Sequence, residues 1–184
     1  LIEGLDAEGI PVIFVPINPP FPSALRWVRR IPIARTILNQ LIYLPSLWRL
    51  SRADVVHVFS GSYWSFLLAP VPAMIAGRCF KKRVVLNYHS GEAKDHLQRW
   101  RRSAIPTIKL ADVVVVPSDY LVRVFAEFGL KSTAIHNLID TSKFRFRVRT
   151  PLRPLFLANR NLEIHYGVDR VLRACLLYTS PSPR

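Results

Sequence analysis

Apolar and polar residues fall along this chain in two kinds of block. Short runs rich in β-branched residues occupy positions 10–17 (IPVIFVPI), 53–60 (ADVVHVFS), 83–93 (RVVLNYHSGEA, apolar in its first half), 112–116 (DVVVV) and 132–136 (STAIH). Each is bounded by Gly, Pro, Ser, Asn or charged residues and reads as a strand. Between them, apolar residues recur three and four apart, which predicts helices. The first ends at Gly9, a C-terminal cap. The next is capped by Ser23 and carries Leu25, Trp27 and Val28, Pro32 interrupts it, and a further helix runs from about Ala34 to Leu50. Residues 63–80 predict an apolar helix kinked at its prolines. Another starts at Asp95 and bears Leu97, Trp100, Ala104 and Ile108. The last of this series is capped by Ser118, supported by Asp119 in its first turn and ended by Gly129.

Strands that are apolar almost throughout belong in a parallel sheet covered on both sides. Their alternation with helices predicts right-handed βαβ units in an α/β, Rossmann-like doubly wound parallel sheet. On this reading residues 1–150 form one domain. A proline-rich linker at 150–154, a strand at 155–158 and a helix at 167–174 make the first βα unit of a second Rossmann-like domain within residues 151–174. Residues 175–184 (CLLYTSPSPR) break the pattern and read as a non-native tail, set aside from the fold. The chain starts at Leu1 without a methionine and reads as cut, so a fragment open at both ends is expected.

Charge changes the picture. With 26 basic and 12 acidic residues the chain carries +14, which favours nucleotide phosphates, nucleic acid or an acidic membrane surface as partners. A solvated basic face without a ligand is the plainer alternative. No acidic residue occurs from Ile10 through Ala53. Arginines mixed there with Trp27, Tyr43 and Trp48 suit a lipid-facing surface; equally, the aromatics could be core and the arginines merely solvated. Cys79 and Cys175 lie far apart, with neither a disulfide framework nor metal spacing. No run reaches the roughly 18 apolar residues of a membrane span. RNA-binding motifs with paired aromatic strands are absent.

Candidate chemistry gathers at one place. The run 83–93 delivers His89 to the carboxyl end of its strand, followed by Ser90, Gly91 and Glu92, where open α/β sheets face their ligands. His89 could instead bond a backbone carbonyl structurally, Glu92 could serve a helix start, and Ser118 could be only a cap. His57, inside its strand, reads as a satisfied core histidine. His89, Glu92 and His96 could be drawn as a zinc site, but their spacing is not HExxH and no metal is expected.

Residues 111–144 (ADVVVVPSDYLVRVFAEFGLKSTAIHNLIDTSKF) resemble the central signature of GT-B glycosyltransferases of the retaining family 4 type. Ala111, Asp112, Ser118, Gly129, Asn137, Asp140 and Phe144 carry the match. The strands ending at Ser60 and His89 fit the family's upstream strands, and NRNLEIHYGVDRVLRAC resembles its first C-domain unit, so the resemblance covers about residues 1–175. His136 and Leu138 stand where Pro and Gly flank the Asn in the family, and the lysine expected after Arg160 is missing.

The resemblance implies the acceptor-side, N-terminal domain of a cytoplasmic enzyme. Such an enzyme moves a sugar from a nucleotide sugar to an acceptor with retention of configuration. It needs no cofactor beyond the donor and no metal. The resemblance implies His89 as the catalytic residue, Ser90, Gly91, Glu92, Ser118 and Asn137 as substrate contacts, and Arg160 on the donor diphosphate. The basic surface with interfacial aromatics, rather than the resemblance, leans toward a lipid-linked or envelope acceptor and toward peripheral contact with an anionic membrane at its inner face. The fragment itself is expected to be inactive. The competing expectation is a non-catalytic basic α/β module that binds nucleic acid or anionic lipid.

Overall fold

The computed structural model describes residues 2–138, 140–146, 148, 150–151 and 164–179. The chain divides into two units, Leu1–Leu138 and Ile139–Arg184, described separately.

The first unit opens with α1 (Ile2–Ala7), closed by Gly9 in the left-handed region at φ +74°. A 3-10 helix over Ser23–Arg30 leads to α2 (Pro32–Ser46), which starts on its proline, and a second 3-10 segment covers Leu47–Arg52. The remaining elements are β1 (Val55–Ser60), α3 (Tyr63–Leu68), α4 (Pro70–Cys79), β2 (Arg83–Tyr88), α5 (Ala93–Arg99), α6 (Arg101–Ile108), β3 (Val113–Val116), α7 (Asp119–Glu127) and β4 (Thr133–Ala134). The sheet is parallel throughout, in the order β1-β2-β3-β4. Val58 pairs with Leu86 and Leu86 with Val114. The Rossmann-like α/β class expected from the sequence is the one observed.

Strand order that advances in one direction through right-handed crossovers places every connecting helix on the same side. The core follows from that. Val56, Val58, Val84, Leu86, Tyr88, Val114 and Val116 form a single cluster with side chains of α4, α5, α6 and α7. Gly77 marks the closest approach of α4, since a Cβ there would meet Val84 Cγ2 at 2.9 Å. Asp112 locks the sheet at its amino end. Its carboxylate accepts from Val84 N at 2.7 Å and from Arg78 Nη1 at 2.8 Å. The backbone bond to Val84, then the Arg78 guanidinium, hold its carboxyl below the usual range.

Several local expectations need correction. Residues 10–17 form no strand. A strand is defined by a hydrogen-bonded neighbour, and none of the described strands pairs with this segment; Ile10, Val12, Ile13, Phe14 and Ile17 stay exposed. Ser23 makes no side-chain cap, because Pro22 takes the capping position and its carbonyl receives Leu25 N. The predicted helix at 63–80 is two helices broken at Ala69. The helix bearing Leu97 and Ile108 is likewise two, divided at Trp100. His57 is not a core residue: it lies exposed on β1, stacked on Phe59 at 4.6 Å. Of the three aromatics suggested for a lipid surface, Tyr43 is core, its hydroxyl donating to Ala69 O at 2.8 Å. Trp27 and Trp48 are exposed.

In the second unit, Asp140 Oδ1 accepts from Ser142 N and Oγ and starts a 3-10 turn over Thr141–Lys143. Helix α8 (Val168–Thr179) begins beside Gly167 at φ +62° and runs into the stretch set aside as a tail. The strand expected at 155–158 and Arg160 lie outside the described residues.

Candidate functional site

The carboxyl edge of the sheet collects the turns that follow each strand: Gly61 and Ser62 after β1, His89 to Glu92 after β2, Pro117 and Ser118 after β3, and Ile135 to Asn137 after β4. His89 sits one residue past β2. Its backbone N–H donates to Ser60 O at 2.8 Å, which carries the ladder between β1 and β2 one step beyond the strands. Its imidazole is exposed and bonds no other described residue, so the structural alternative, a side chain tied to a backbone carbonyl, does not hold.

Ser90 turns its Oγ back to accept from Glu92 N at 3.2 Å, shaping the loop. Gly91 is exposed, with nothing within 4 Å of where a Cβ would lie. Glu92 is exposed at the position before α5 and makes no side-chain cap. Ser118 is the N-cap of α7, its Oγ accepting from Leu121 N at 3.4 Å, an arrangement worth about 1 kcal/mol of helix stability. Asn137 is exposed beyond β4. The fold thus gathers His89 to Glu92 on one turn and sets Ser118 and Asn137 along the same edge, on neighbouring strands. No hydrogen bond links the three groups to one another.

Beneath the His89 turn runs a buried polar chain that the sequence did not disclose. Ser62 Oγ lies 2.8 Å from Tyr88 Oη, and Tyr88 Oη lies 2.7 Å from Nδ1 of His96. His96 is fully buried, whereas His89 and Glu92 are exposed. Burial lowers the pKa of His96, against a smaller upward pull from the Asp95 carboxylate. Its Nε2 bonds no described residue, and the rings of Tyr63, Phe66 and Trp100 lie with centroids 5.2–5.8 Å from the imidazole. Burial also pushes the Tyr88 phenol up to about 12, partly offset by its Ser62 bond. Both groups therefore stay uncharged near neutral pH, the only cheap state for such groups in an apolar surround.

Tyr63 closes the arrangement from the side. It occupies the left-handed region at φ +56°, a strained position for a bulky residue. Its hydroxyl donates to Asp95, which Arg99 also holds. That hydrogen bond is the main reason Asp95 titrates below the ordinary carboxylate range and Tyr63 rises to about 12. The signal in the sequence was the spacing of His96 and Trp100, four apart on the helix after His89; by itself it reads as ordinary core.

Among the described residues no three His, Cys, Asp or Glu side chains converge as metal ligands would. A cavity of about 700 Å³ lies elsewhere, between residues 17–21, α2 and α3, with Arg29, Arg35, Asn39 and Gln40 on its wall. None of the residues singled out in the sequence lines it. It marks open space beside a basic surface and carries no arrangement of reacting groups.

The family model described as Glycosyltransferase Family 4 matches residues 1–143. Searches of curated proteins and of solved structures return no match.

Proposed function

The chain belongs to glycosyltransferase family 4, and on that premise we propose that it supplies the acceptor-side wall of an enzyme that moves a sugar from a nucleotide-sugar donor to an acceptor with retention of configuration. Residues 1–150 are the acceptor-side domain and residues 151–174 the start of the donor-binding domain. The observation that carries the reading is the His89 turn. A histidine with an unencumbered imidazole stands at the carboxyl end of a central strand, its backbone fixed by Ser60 and its support built from a buried polar chain.

In this reading the imidazole hydrogen-bonds a hydroxyl of the transferred sugar, and the His89 carbonyl faces the positive charge that develops at the anomeric carbon. The bond from that carbon to the diphosphate oxygen breaks as the acceptor oxygen bonds to the same face. The departing phosphate takes the acceptor's proton. Ser90, Gly91 and Glu92 line the acceptor approach, with Ser118 and Asn137 farther along the edge. Arg160 offers a fork-shaped cation to the diphosphate. The acceptor class that fits the basic surface is lipid-linked or envelope glycan, met at the cytoplasmic face of a membrane.

Transfer from a panel of nucleotide sugars by the full-length gene product is the test. His89→Ala is expected to lower kcat by about 10²-fold, the scale of losing a group that acts on transition-state charge, with the urea midpoint unchanged. Undiminished turnover in that variant would remove His89 from the mechanism. Residues 1–184 alone are expected to transfer nothing, since Arg160 is the one contact to the donor's diphosphate assigned within them. Absence of transfer by the full-length product, with salt-sensitive binding to nucleic acid that survives His89→Ala, would favour a non-catalytic basic module instead.

A further inference from the structure

The surface of α2 is unusual for a helix in a water-soluble fold. Its inward side is accounted for by Tyr43 and, in the following 3-10 segment, Leu47 and Leu50, all in the core. Its outward side should be polar. Instead Ile33, Ile37, Leu41 and Leu44 follow one another at helical spacing, and Trp48 continues the line. Their exposures run from 47% at Leu44 to 76% at Ile33, with Trp48 at 69%. Trp27 on the preceding 3-10 helix is 61% exposed, and Ile31 between the two helices is exposed as well. Scattered apolar side chains on a surface need no explanation, but a continuous stripe does.

The charges in the segment that carries the stripe are all of one sign. Arg26, Arg29, Arg30, Arg35, Arg49 and Arg52 are the charged residues of positions 10–53, and every one is exposed. None takes part in an ion pair with the described residues. Arg29 lies over the Phe21 ring at 5.2 Å, leaving its charge without a counter-ion. A protein partner would have to match an apolar strip flanked by uncompensated guanidinium groups. An anionic bilayer matches it without special shape: acyl chains take the strip, phosphates take the arginines, and the two tryptophans sit at the depth their amphipathic rings prefer. No helix among the described residues is long and apolar enough to cross a membrane, so the contact is one of lying on the surface.

We propose that α2, with Trp27 and Trp48 at its two ends, is an in-plane docking surface for an anionic lipid bilayer. The proposal stands on this surface alone and survives or fails independently of sugar transfer, because its test contains no sugar.

The test is co-sedimentation with vesicles of phosphatidylcholine alone and of phosphatidylcholine with roughly 30 mol% phosphatidylglycerol, read together with tryptophan fluorescence. The chain is expected to bind the anionic vesicles at least tenfold more tightly than the neutral ones, with a blue shift in emission. The paired substitution Ile33→Ser with Leu41→Ser should cut the partition coefficient tenfold or more, while circular dichroism and the urea midpoint stay as in the parent. Replacing Arg26 and Arg30 with Gln should remove most of the preference for anionic over neutral vesicles. Equal binding to both vesicle types, no binding to either, or binding indifferent to the stripe substitutions would overturn the proposal. So would a dimer in vesicle-free solution that dissociates on Ile33→Ser with Leu41→Ser, since the stripe would then belong to a second copy of the chain.

Discussion

The two faces of the sheet are built from the same strands and have opposite environments. On one, Val84, Leu86, Tyr88 and Val116 are sealed from solvent under four helices. On the other, Val55, Phe59 and Val113 remain exposed, Val85 and Asn87 are half-buried, and Val115 is buried. The residues themselves barely differ, valine facing one way and valine the other. What differs is the path of the chain, since four strands laid down in one direction send all their right-handed crossovers to one side. Apolar composition on both faces of a parallel strand is a demand for two covers; the crossovers among the described strands supply one.

The sharpest way to test this difference is to remove apolar bulk from each side in turn. Leu86→Ala on the covered face is expected to lower unfolding stability by about 2–5 kcal/mol, through lost burial and the cavity left behind. A urea midpoint near the parent's would mean that the four-helix cover is not the core.

A smaller effect is read by pH. Burial holds the folded-state pKa of His96 below its ordinary value of 6.5, so the unfolded chain takes up a proton there before the folded one does. Stability should fall as pH drops below about 6.5 and continue to fall until the folded pKa is reached. His96→Gln should reduce the slope between about pH 7 and 5, leaving the part that belongs to His57, whose pKa burial also lowers. An unchanged slope would place the proton uptake elsewhere, in a group the covered face does not contain.

The smallest effect belongs to the uncovered side. Phe59→Ser removes a large aromatic from β1, yet its stability should stay within about 0.5 kcal/mol of the parent, as for other exposed positions. Loss on the scale of Leu86→Ala would show that something covers this face after all.

The strands at the sheet's centre were legible because their signal was strong: unbroken β-branched runs, closed by small or polar residues and separated by helix-period stretches. So were the caps at Gly9, Ser118 and Gly129, where the required residue type is narrow. Residues 10–17 had an equally good pattern and failed as a strand, since no pattern within a segment reports whether another strand lies beside it. His57 was misplaced for a related reason. Its position on a strand was right, and the exposure of that strand's outer face depends on chain topology. The His89 turn was readable from its place at a strand end. Its support was not, because the chain from Ser62 through Tyr88 to His96 joins three separate elements and becomes a unit only after they pack. Tyr63 was hidden likewise, a bulky residue in a backbone conformation that its sequence context does not call for.

The short bond from His89 N to Ser60 O has a consequence for ligand recognition. By extending the ladder to position 89, it takes that residue's backbone torsions out of the conformational ensemble as the chain folds, a restriction on the order of 1–2 kcal/mol for one residue. A ligand arriving at the turn meets a peptide group already oriented, and only the imidazole rotor is left to settle. Gly91, two residues on, has nothing within 4 Å of where a Cβ would lie and is restrained by the weaker Ser90–Glu92 bond that spans it. Entropy is thus divided unevenly along three residues, with the stiffest of them placed where aim matters most.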